Sequence, residues 1–145
     1  KTVYKDPVGT VDVTPTVMGL LGLPENKDDQ GRNLATILND VSAAEESASP
    51  PVTFLRNAGT KAAWVAAIDS RYKLILSVND EPWVFDREQD PDEVLNMYRR
   101  PGAKDAAIRL AKALKQYAQR TADPHLKQPK IAASLEEVLE ESGTE

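Results

Sequence analysis

The chain has 145 residues, of which 41% are hydrophobic and 28% are charged. This length is enough for one domain with a buried core, because domains most often contain about 100 to 150 residues. The sequence contains no cysteine, which excludes disulfide bonds, thiolate metal sites and a cysteine nucleophile in this chain.

The formal net charge of −5 is concentrated at the C-terminal end. The sequence from Ile131 onward contains five glutamates and no lysine or arginine. Removing these five from the 23 acidic residues leaves 18, which equals the 18 lysines and arginines of the chain. A neutral body lacks the basic surface that binds nucleic acid or an anionic membrane. No run approaches the roughly eighteen apolar residues of a membrane span, so the predicted partners include neither nucleic acid nor membrane.

Two short helices are predicted after a polar connector at the N-terminus. The first is expected from Val13 to Leu21, with Asp12 as its N-cap and Gly22 and Pro24 as its stop. The second is expected over Asn33 to Leu38. Its buried side is predicted from the i, i+3, i+4 spacing of Leu34, Ile37 and Leu38.

A domain boundary is predicted in the polar segment from Ser42 to Pro51, which ends in two prolines. A short strand is expected from Val52 to Arg56. A β-hairpin follows, because two runs rich in aliphatic and aromatic residues, Ala62 to Ile68 and Tyr72 to Val78, flank a polar trio.

The hairpin predicts a sheet with two different faces. If Asp69 and Ser70 form a two-residue turn, one face is apolar apart from one phenol hydroxyl, and its residues are Ala63, Val65, Ala67, Tyr72, Leu74 and Leu76. The other face mixes apolar with charged side chains: Ala62, Trp64, Ala66, Ile68, Arg71, Lys73, Ile75 and Ser77. Such a face indicates a surface for a partner, either another domain or another chain.

A third strand is predicted from Pro82 to Asp86, followed by a turn or short helix from Asp90 through Met97. The longest helix is expected from Ala103 to Arg120. Its apolar stripe is the predicted cover for the apolar sheet face, and it consists of Ala103, Ala107, Leu110, Leu114 and Tyr117. Pro124 and Pro129 are expected to end the compact part. Residues 126–145 are then an acidic tail, in which Ile131 to Glu141 forms an amphipathic helix that is docked or frayed.

Three groups of residues suggest chemistry, and each has a structural alternative. Clustered carboxylates at Asp86, Asp90 and Asp92 resemble calcium ligands, but Asp and Pro are equally typical of turns. Arg71 and Lys73 are placed to reach an anionic substrate, although hairpin cations are usually solvated or paired.

The third group is aromatic: Tyr72, Trp64, Trp83 and Phe85 suggest a stacking platform, but aromatics at alternate strand positions usually lie in a core or interface. The lone His125 is expected to be a solvated loop residue. We therefore predict no catalytic, cofactor-binding or metal-binding residue in this chain.

Four motifs in order resemble the C-terminal end of the sulfatase family, which belongs to the alkaline-phosphatase-like group. Val11 to Leu23, VDVTPTVMGLLGL, is similar to an Asp-x-x-Pro-Thr helix followed by Leu-x-Gly. Gly31 to Leu34 is similar to Gly-Arg-Ser-Leu. Ala67 to Leu76, AIDSRYKLIL, resembles the Arg-x-x-x-Tyr-Lys-Leu hairpin, with Ile68 at the usual arginine. Trp83 to Asn96, WVFDREQDPDEVLN, resembles the Leu-Tyr-Asp-Leu-x-x-Asp-Pro-x-Glu-x-x-Asn signature.

The resemblance implies an α+β fold in which residues 1–46 finish the catalytic α/β domain. Residues 52–125 are then a sheet-plus-helix subdomain, with a small antiparallel sheet of three to four strands and a C-terminal helix on one face. The implied partner is the catalytic domain, which the mixed sheet face would contact, and self-association through that exposed face is the other option. Export or a periplasmic location is implied by the family.

The chemistry that the resemblance implies lies outside this chain. Sulfatases use a formylglycine from a Cys/Ser-x-Pro-x-Arg motif and a divalent cation, usually calcium, and both are expected upstream of Lys1. The nearest pattern here, Ser49 to Thr53, has Thr53 in place of the arginine and follows the Asp-x-x-Pro-Thr helix, so we reject it. The predicted function is a structural part of a sulfatase, and the alternative is a free-standing module for protein interaction.

Overall fold

The computed structural model describes residues 4–40, 51–57, 59 and 62–141. The chain divides into two compact units, Lys1–Pro51 and Val52–Glu145. Residues 42–50, which carry most of the predicted boundary segment and the start of the rejected Ser49 motif, lie outside the described residues.

The first unit contains the two predicted helices. A 3₁₀ turn, Thr10–Asp12, leads directly into helix α1, Val13–Leu20, and helix α2 covers Ala35–Asn39. Gly22 has a φ of +67°, the left-handed conformation in which glycine carries no Cβ penalty, and the chain leaves α1 there.

Two details of this unit differ from the prediction. Asp12 does not cap α1 through its side chain, because its carboxylate is turned toward Gly9 and Arg32. Leu38 is 64% exposed, although its spacing predicted burial, whereas Leu34 and Ala35 are buried. A helix of five residues presents little more than one turn, so its buried side is narrower than the pattern predicts.

The second unit is built on a four-stranded antiparallel sheet. Its strands are β1 (Thr53–Asn57), β2 (Trp64–Ile68), β3 (Tyr72–Ser77) and β4 (Trp83–Asp86), and they lie side by side in chain order. The predicted α+β fold with a small antiparallel sheet is therefore confirmed. Pro82 immediately precedes β4, where its missing N–H costs no ladder bond.

The hairpin turn is two residues long, but it lies one residue later than predicted. Ser70 and Arg71 form the turn, since Asp69 N donates to Tyr72 O at 3.0 Å and Ile68 pairs with Lys73. The side chain of Asp69 selects this turn, because its Oδ1 accepts from the backbone N–H groups of both Arg71 and Tyr72. The pairing changes by two residues, and side chains alternate with period two, so the predicted faces are unchanged.

Two helices cover the apolar face of the sheet. They are α3 (Lys104–Thr121) and α4 (Pro129–Glu140), and both pack against β3. Phe54 on β1 stacks on Tyr117 of α3, with ring centroids 4.2 Å apart. The hydrophobic core takes residues from β2, β3, β4, α3 and α4, and Phe54 of β1 packs against it. The core residues include Val65, Ala67, Leu74, Leu76, Val84, Ala107, Leu110, Leu114, Ile131, Leu135 and Val138.

The C-terminal segment differs from the expected tail. Of the two alternatives for Ile131 to Glu141, the structure has the docked one: Ile131, Leu135 and Val138 are at most 2% exposed. The prolines at 124 and 129 therefore do not end the compact part. The acidic side chains of α4 pair with residues elsewhere in the second unit: Glu136 binds Lys115 at 2.7 Å, and Glu137 binds Arg99 at 2.5 Å. Residues 142–145 lie outside the described range.

The segment between β4 and α3 contains no α-helix at residues 90–97, where a turn or short helix was predicted. It forms successive turns, in which Glu93 and Arg99 have φ values of 54° and 61°. Within the described residues, no helix is both long and apolar enough to cross a membrane.

Candidate functional site

The hairpin turn is the first place where charged residues come together. Asp69 is 1% exposed, and its Oδ2 lies 2.6 Å from Arg109 Nη1 on α3. The two atoms are not aligned as a hydrogen bond, so their attraction is that of an ion pair. Because Oδ1 already holds two backbone N–H groups of the turn, this carboxylate joins the hairpin to the helix that covers it.

Arg71 forms a forked pair with Asp86 across the end of the sheet. Its Nε and Nη2 donate to Oδ1 and Oδ2 of Asp86 at 3.0 and 2.7 Å. Asp86 is 3% exposed and also accepts from the backbone N–H of Glu88 and Gln89. The hydrogen bonds from Arg71 hold the pKa of Asp86 below its ordinary value, and the same contact raises the pKa of Arg71.

Lys73 contacts Glu93, which also lies 3.6 Å from Arg87. Glu93 has a left-handed backbone conformation, and these two cations hold its side chain. Arg71 and Lys73 are thus both paired within the chain, which agrees with the structural alternative given for them. Neither is presented as a free cation for an anionic substrate.

Asn96 is a key residue to which the sequence analysis gave no role. Its side-chain oxygen accepts from Val84 N at 2.9 Å and Tyr98 N at 3.0 Å, and its amide donates to Pro82 O at 3.1 Å. It therefore ties the segment after β4 to β4 itself. The signal for it was the Asn at the end of the Trp83 to Asn96 motif.

The three aspartates whose spacing resembles that of calcium ligands do not converge. Asp86 is engaged by Arg71, Asp90 Oδ2 accepts from Leu95 N at 2.8 Å, and Asp92 is exposed. The part of the chain that the structure describes contains no group of three or more His, Asp or Glu residues arranged to hold a metal ion. Asp86 and Asp90 instead organise turns, as the alternative reading of this motif predicted.

The aromatic residues do not form one platform. Trp64, Trp83 and Phe85 lie on the mixed face of the sheet, whereas Tyr72 lies on the apolar face. Trp83 is 40% exposed and meets Phe85 edge-on, with ring centroids 6.2 Å apart at 75°. Phe85 is buried, which matches the core or interface alternative.

His125 is buried rather than solvated, which corrects the sequence prediction. Its side chain is 9% exposed, its Nδ1 lies 2.8 Å from Asp123 Oδ1, and its Nε2 lies 3.0 Å from the Asn57 carbonyl oxygen. Arg56 Nη1 binds the other oxygen of Asp123 at 2.8 Å. Burial alone would raise the pKa of Asp123, but the hydrogen bonds from His125 and Arg56 outweigh it and keep that pKa below its ordinary value.

The first unit has its own buried carboxylate. Asp12 is 3% exposed. Its carboxylate accepts from the backbone N–H of Arg32 at 2.7 Å and from Arg32 Nη2 at 2.9 Å. Burial favours a raised pKa for Asp12, yet the hydrogen bonds from Arg32 and Gly9 leave it lowered. Thr16 completes the arrangement, since its hydroxyl accepts from Leu34 N at 3.0 Å.

This arrangement requires glycine at position 31. A Cβ at Gly31 would lie 1.9 Å from the carbonyl oxygen of Val11, which is far inside van der Waals contact. The two motifs that the sequence analysis quoted from this unit, Val11 to Leu23 and Gly31 to Leu34, are therefore two halves of one packed structure.

Helix α1 carries an exposed apolar stripe. The i, i+4, i+7 positions Val13, Val17 and Leu20 are 57%, 47% and 49% exposed, and Leu21 is 67% exposed. Amphipathic helices normally bury such a stripe. Its exposure indicates a surface that another part of a protein covers.

The comparison with known families covers the first unit and most of the second. A sequence profile of the family N-sulphoglucosamine sulphohydrolase, C-terminal, matches residues 1–120. The chain belongs to this family of sulfatase C-terminal regions. The resemblance stated from four motifs is therefore confirmed. A search of curated proteins gave no significant match.

Solved structures show the same fold. A Bacteroides sulfatase in complex with its substrate, D-glucosamine-2-N,6-O-disulfate, is similar over 79% of this chain, with 21% sequence identity and a TM-score of 0.65. A 2-O GAG sulfatase is similar over 80%, with 20% identity and a TM-score of 0.64. The matched regions are 25% and 26% of those chains, so this chain spans about a quarter of the sulfatases it resembles.

Proposed function

We propose that this chain is the C-terminal part of an enzyme that removes sulfate groups from sulfated amino sugars. The observation that carries the proposal is the family match over residues 1–120, which includes the helices of the first unit and the sheet of the second. The substrate class comes from the family description and from the glucosamine disulfate bound by one similar sulfatase. The net reaction consumes one water and releases inorganic sulfate.

Within that enzyme, the role we propose for this chain is structural. The buried carboxylates Asp12, Asp69 and Asp86 each hold an arginine and backbone N–H groups, so their hydrogen-bonding capacity serves the fold. The described residues do not fit a calcium site, because no three carboxylates converge. Calcium and formylglycine are therefore expected in the preceding part of the enzyme, and we derive no catalytic step from this chain.

The proposed partner is that preceding catalytic part, and the proposed contact includes the exposed stripe of α1. Fully burying an exposed Val or Leu side chain contributes about 1.5–3 kcal/mol, and the three side chains of this stripe are about half exposed, so covering each one contributes about half of that. The mixed sheet face, with Trp83 40% exposed and Leu55 45% exposed, is a second candidate for this contact. Export of the whole enzyme stays a prediction from the family.

A matched pair of variants in the longer protein tests this role. Val17→Asp places a carboxylate in the exposed stripe, and we expect loss of soluble enzyme and of sulfate release, because the charge would be desolvated at the contact. Thr36→Asp, at an exposed polar position on α2, is expected to leave both unchanged. Sulfate release from N-sulfated and 6-O-sulfated D-glucosamine is measured by ion chromatography.

The outcomes separate the two parts of the proposal. If the unmodified protein releases no sulfate from any sulfated sugar, the proposed activity is wrong. If it releases sulfate and Val17→Asp behaves like Thr36→Asp, the activity stands but the stripe is not a contact. Activity of the chain on its own would contradict the structural role.

A further inference from the structure

The two outer strands of the sheet, β1 and β4, differ in how their edges are covered. An edge strand presents backbone N–H and C=O groups that a further strand can bind. On β4, Val84 N donates to the side-chain oxygen of Asn96 at 2.9 Å, and Val84 O accepts from Met97 N at 2.7 Å. Asp86 O accepts from Asp90 N at 2.8 Å. The segment after β4 therefore closes this edge.

The register shows which backbone groups of β1 face outward. Val78 N donates to Ala63 O at 3.1 Å, so the odd-numbered residues along β2 bond to β3. The even-numbered residues of β2 therefore bond to β1, where their partners are Thr53, Leu55 and Asn57. The backbone groups of Phe54 and Arg56 point away from the sheet. Among the residues that the structure describes, none hydrogen-bonds to these outward groups.

Strand β1 also lacks the usual features that discourage pairing at an edge. Its five residues pair with β2 without a bulge, and none of them is proline. Its one charged side chain, Arg56, binds Asp123 at 2.8 Å, so the charge is already compensated within the chain. Leu55 is 45% exposed on the mixed face. This edge is therefore open to the addition of an extended strand.

The strand is self-complementary when two copies pair antiparallel about Leu55. Phe54 of each copy then lies opposite Arg56 of the other, and each of these two pairs exchanges two hydrogen bonds, which uses every outward group of both strands. The two Leu55 side chains face each other in a non-hydrogen-bonded pair, with Cα atoms about 4.5 Å apart. Pairing about Arg56 would instead place two like charges opposite each other, which is destabilising. Pairing about Phe54 would place Arg56 opposite Val52, which lies outside β1.

From this register we propose that β1 is a dimerisation edge, to which a second copy of the chain adds its own β1 about a two-fold axis at Leu55. Such an interface is isologous, since the same residues serve both copies. Two four-stranded sheets join into one sheet of eight strands, and their mixed faces become continuous. This goes beyond the proposed structural role, because it gives β1 a partner other than the catalytic part of the enzyme.

Charge exchange at Leu55 tests the proposal in the full 145-residue chain. Size-exclusion chromatography with light scattering, over a series of protein concentrations, measures the mass. We expect the unmodified chain to form dimers, and Leu55→Lys and Leu55→Glu to lose them, because like charges then lie opposite each other. Mixing the two variants should restore a dimer, since opposite charges now meet. The control Leu95→Lys, at a position that is 42% exposed, should dimerise like the unmodified chain.

A cysteine crosslink tests the register itself. Because the chain contains no cysteine, Leu55→Cys introduces a single thiol. A Cα separation of about 4.5 Å lies within the range of about 4.4–6.8 Å that a disulfide spans. With oxidised glutathione we expect a disulfide-linked dimer of Leu55→Cys and none of Leu95→Cys. If the charged variants do not fold, this crosslink decides.

Three results would overturn the proposal. The first is an unmodified chain that stays monomeric at every concentration. The second is a Leu55→Lys dimer, which would place the contact on the stripe of α1 or on the mixed face. The third is a longer protein that contains this chain and stays monomeric while the chain alone dimerises, because the preceding part of the enzyme would then occupy the edge.

Discussion

The docking of helix α4 gives the sharpest test of the fold. Leu135 is 2% exposed and lies in the hydrophobic core with Ile131 and Val138 of the same helix. The test replaces it in Leu135→Ala. The matched control is Leu95→Ala, which makes the same chemical change at a position in the same unit that is 42% exposed.

The structure sets the size of the expected effect. Leu→Ala removes three carbons, which at about 0.8 kcal/mol for each buried CH₂ gives roughly 2.4 kcal/mol of lost transfer free energy. The cavity adds to this, and buried Leu→Ala changes cost about 2–5 kcal/mol. We expect Leu135→Ala to cost about 3 kcal/mol and Leu95→Ala less than about 1 kcal/mol. The small gain in helix propensity at position 135 does not offset the first value.

Urea unfolding followed by tryptophan fluorescence measures the difference, since both tryptophans of the chain, Trp64 and Trp83, lie in the sheet. The urea midpoint should fall while the slope of the transition stays the same. In thermal unfolding, about 3 kcal/mol corresponds to a fall in Tm of roughly 12–24 °C for a unit of this size. Equal stability of the two variants would show that α4 is a tail, as its charge first suggested, and would refute the packing described here.

Three further predictions test the charged clusters and the close contact. Gly31→Ala should destabilise the first unit by more than about 1 kcal/mol, because the added Cβ meets the backbone of Val11. The control is Gly102→Ala, where the added Cβ has open space. Hydrogen exchange of the Arg32 amide compares the two variants. Arg71→Lys should lower the urea midpoint, because a lysine cannot donate to both oxygens of Asp86 at once. An unchanged midpoint would contradict this role. Because the pKa of Asp86 is lowered in the fold, its contribution to stability is complete above about pH 4 and is lost as the pH falls further, so Asp86→Asn should flatten the acid side of the stability profile.

The sequence predicts the sheet well because successive side chains of a strand alternate between its two faces, which gives a repeat of two residues. The faces of β2 and β3 follow from alternation alone, and they survived an error of one residue in the position of the turn. That error came from the side chain of Asp69, whose two hydrogen bonds select Ser70 and Arg71 as the turn. Composition favours a turn anywhere in the polar trio, so only the geometry decides it.

The sites were harder to predict because their partners are distant in sequence. His125 reads as a loop histidine between prolines, yet its second hydrogen-bond partner, Asn57, is 68 residues away. The charge of the C-terminal segment likewise suggested a tail, although an amphipathic helix was predicted from Ile131 to Glu141. The helix can bury its apolar side because its glutamates point outward and pair with Lys115 and Arg99.

The central claim is that this chain is a structural part of a sulfatase whose chemistry lies elsewhere in the enzyme. Sulfate release from sulfated D-glucosamine, measured side by side for the purified 145-residue chain and for the longer protein that contains it, tests this claim most directly. The account predicts turnover by the longer protein and none by the chain alone. Turnover by the chain alone would contradict it.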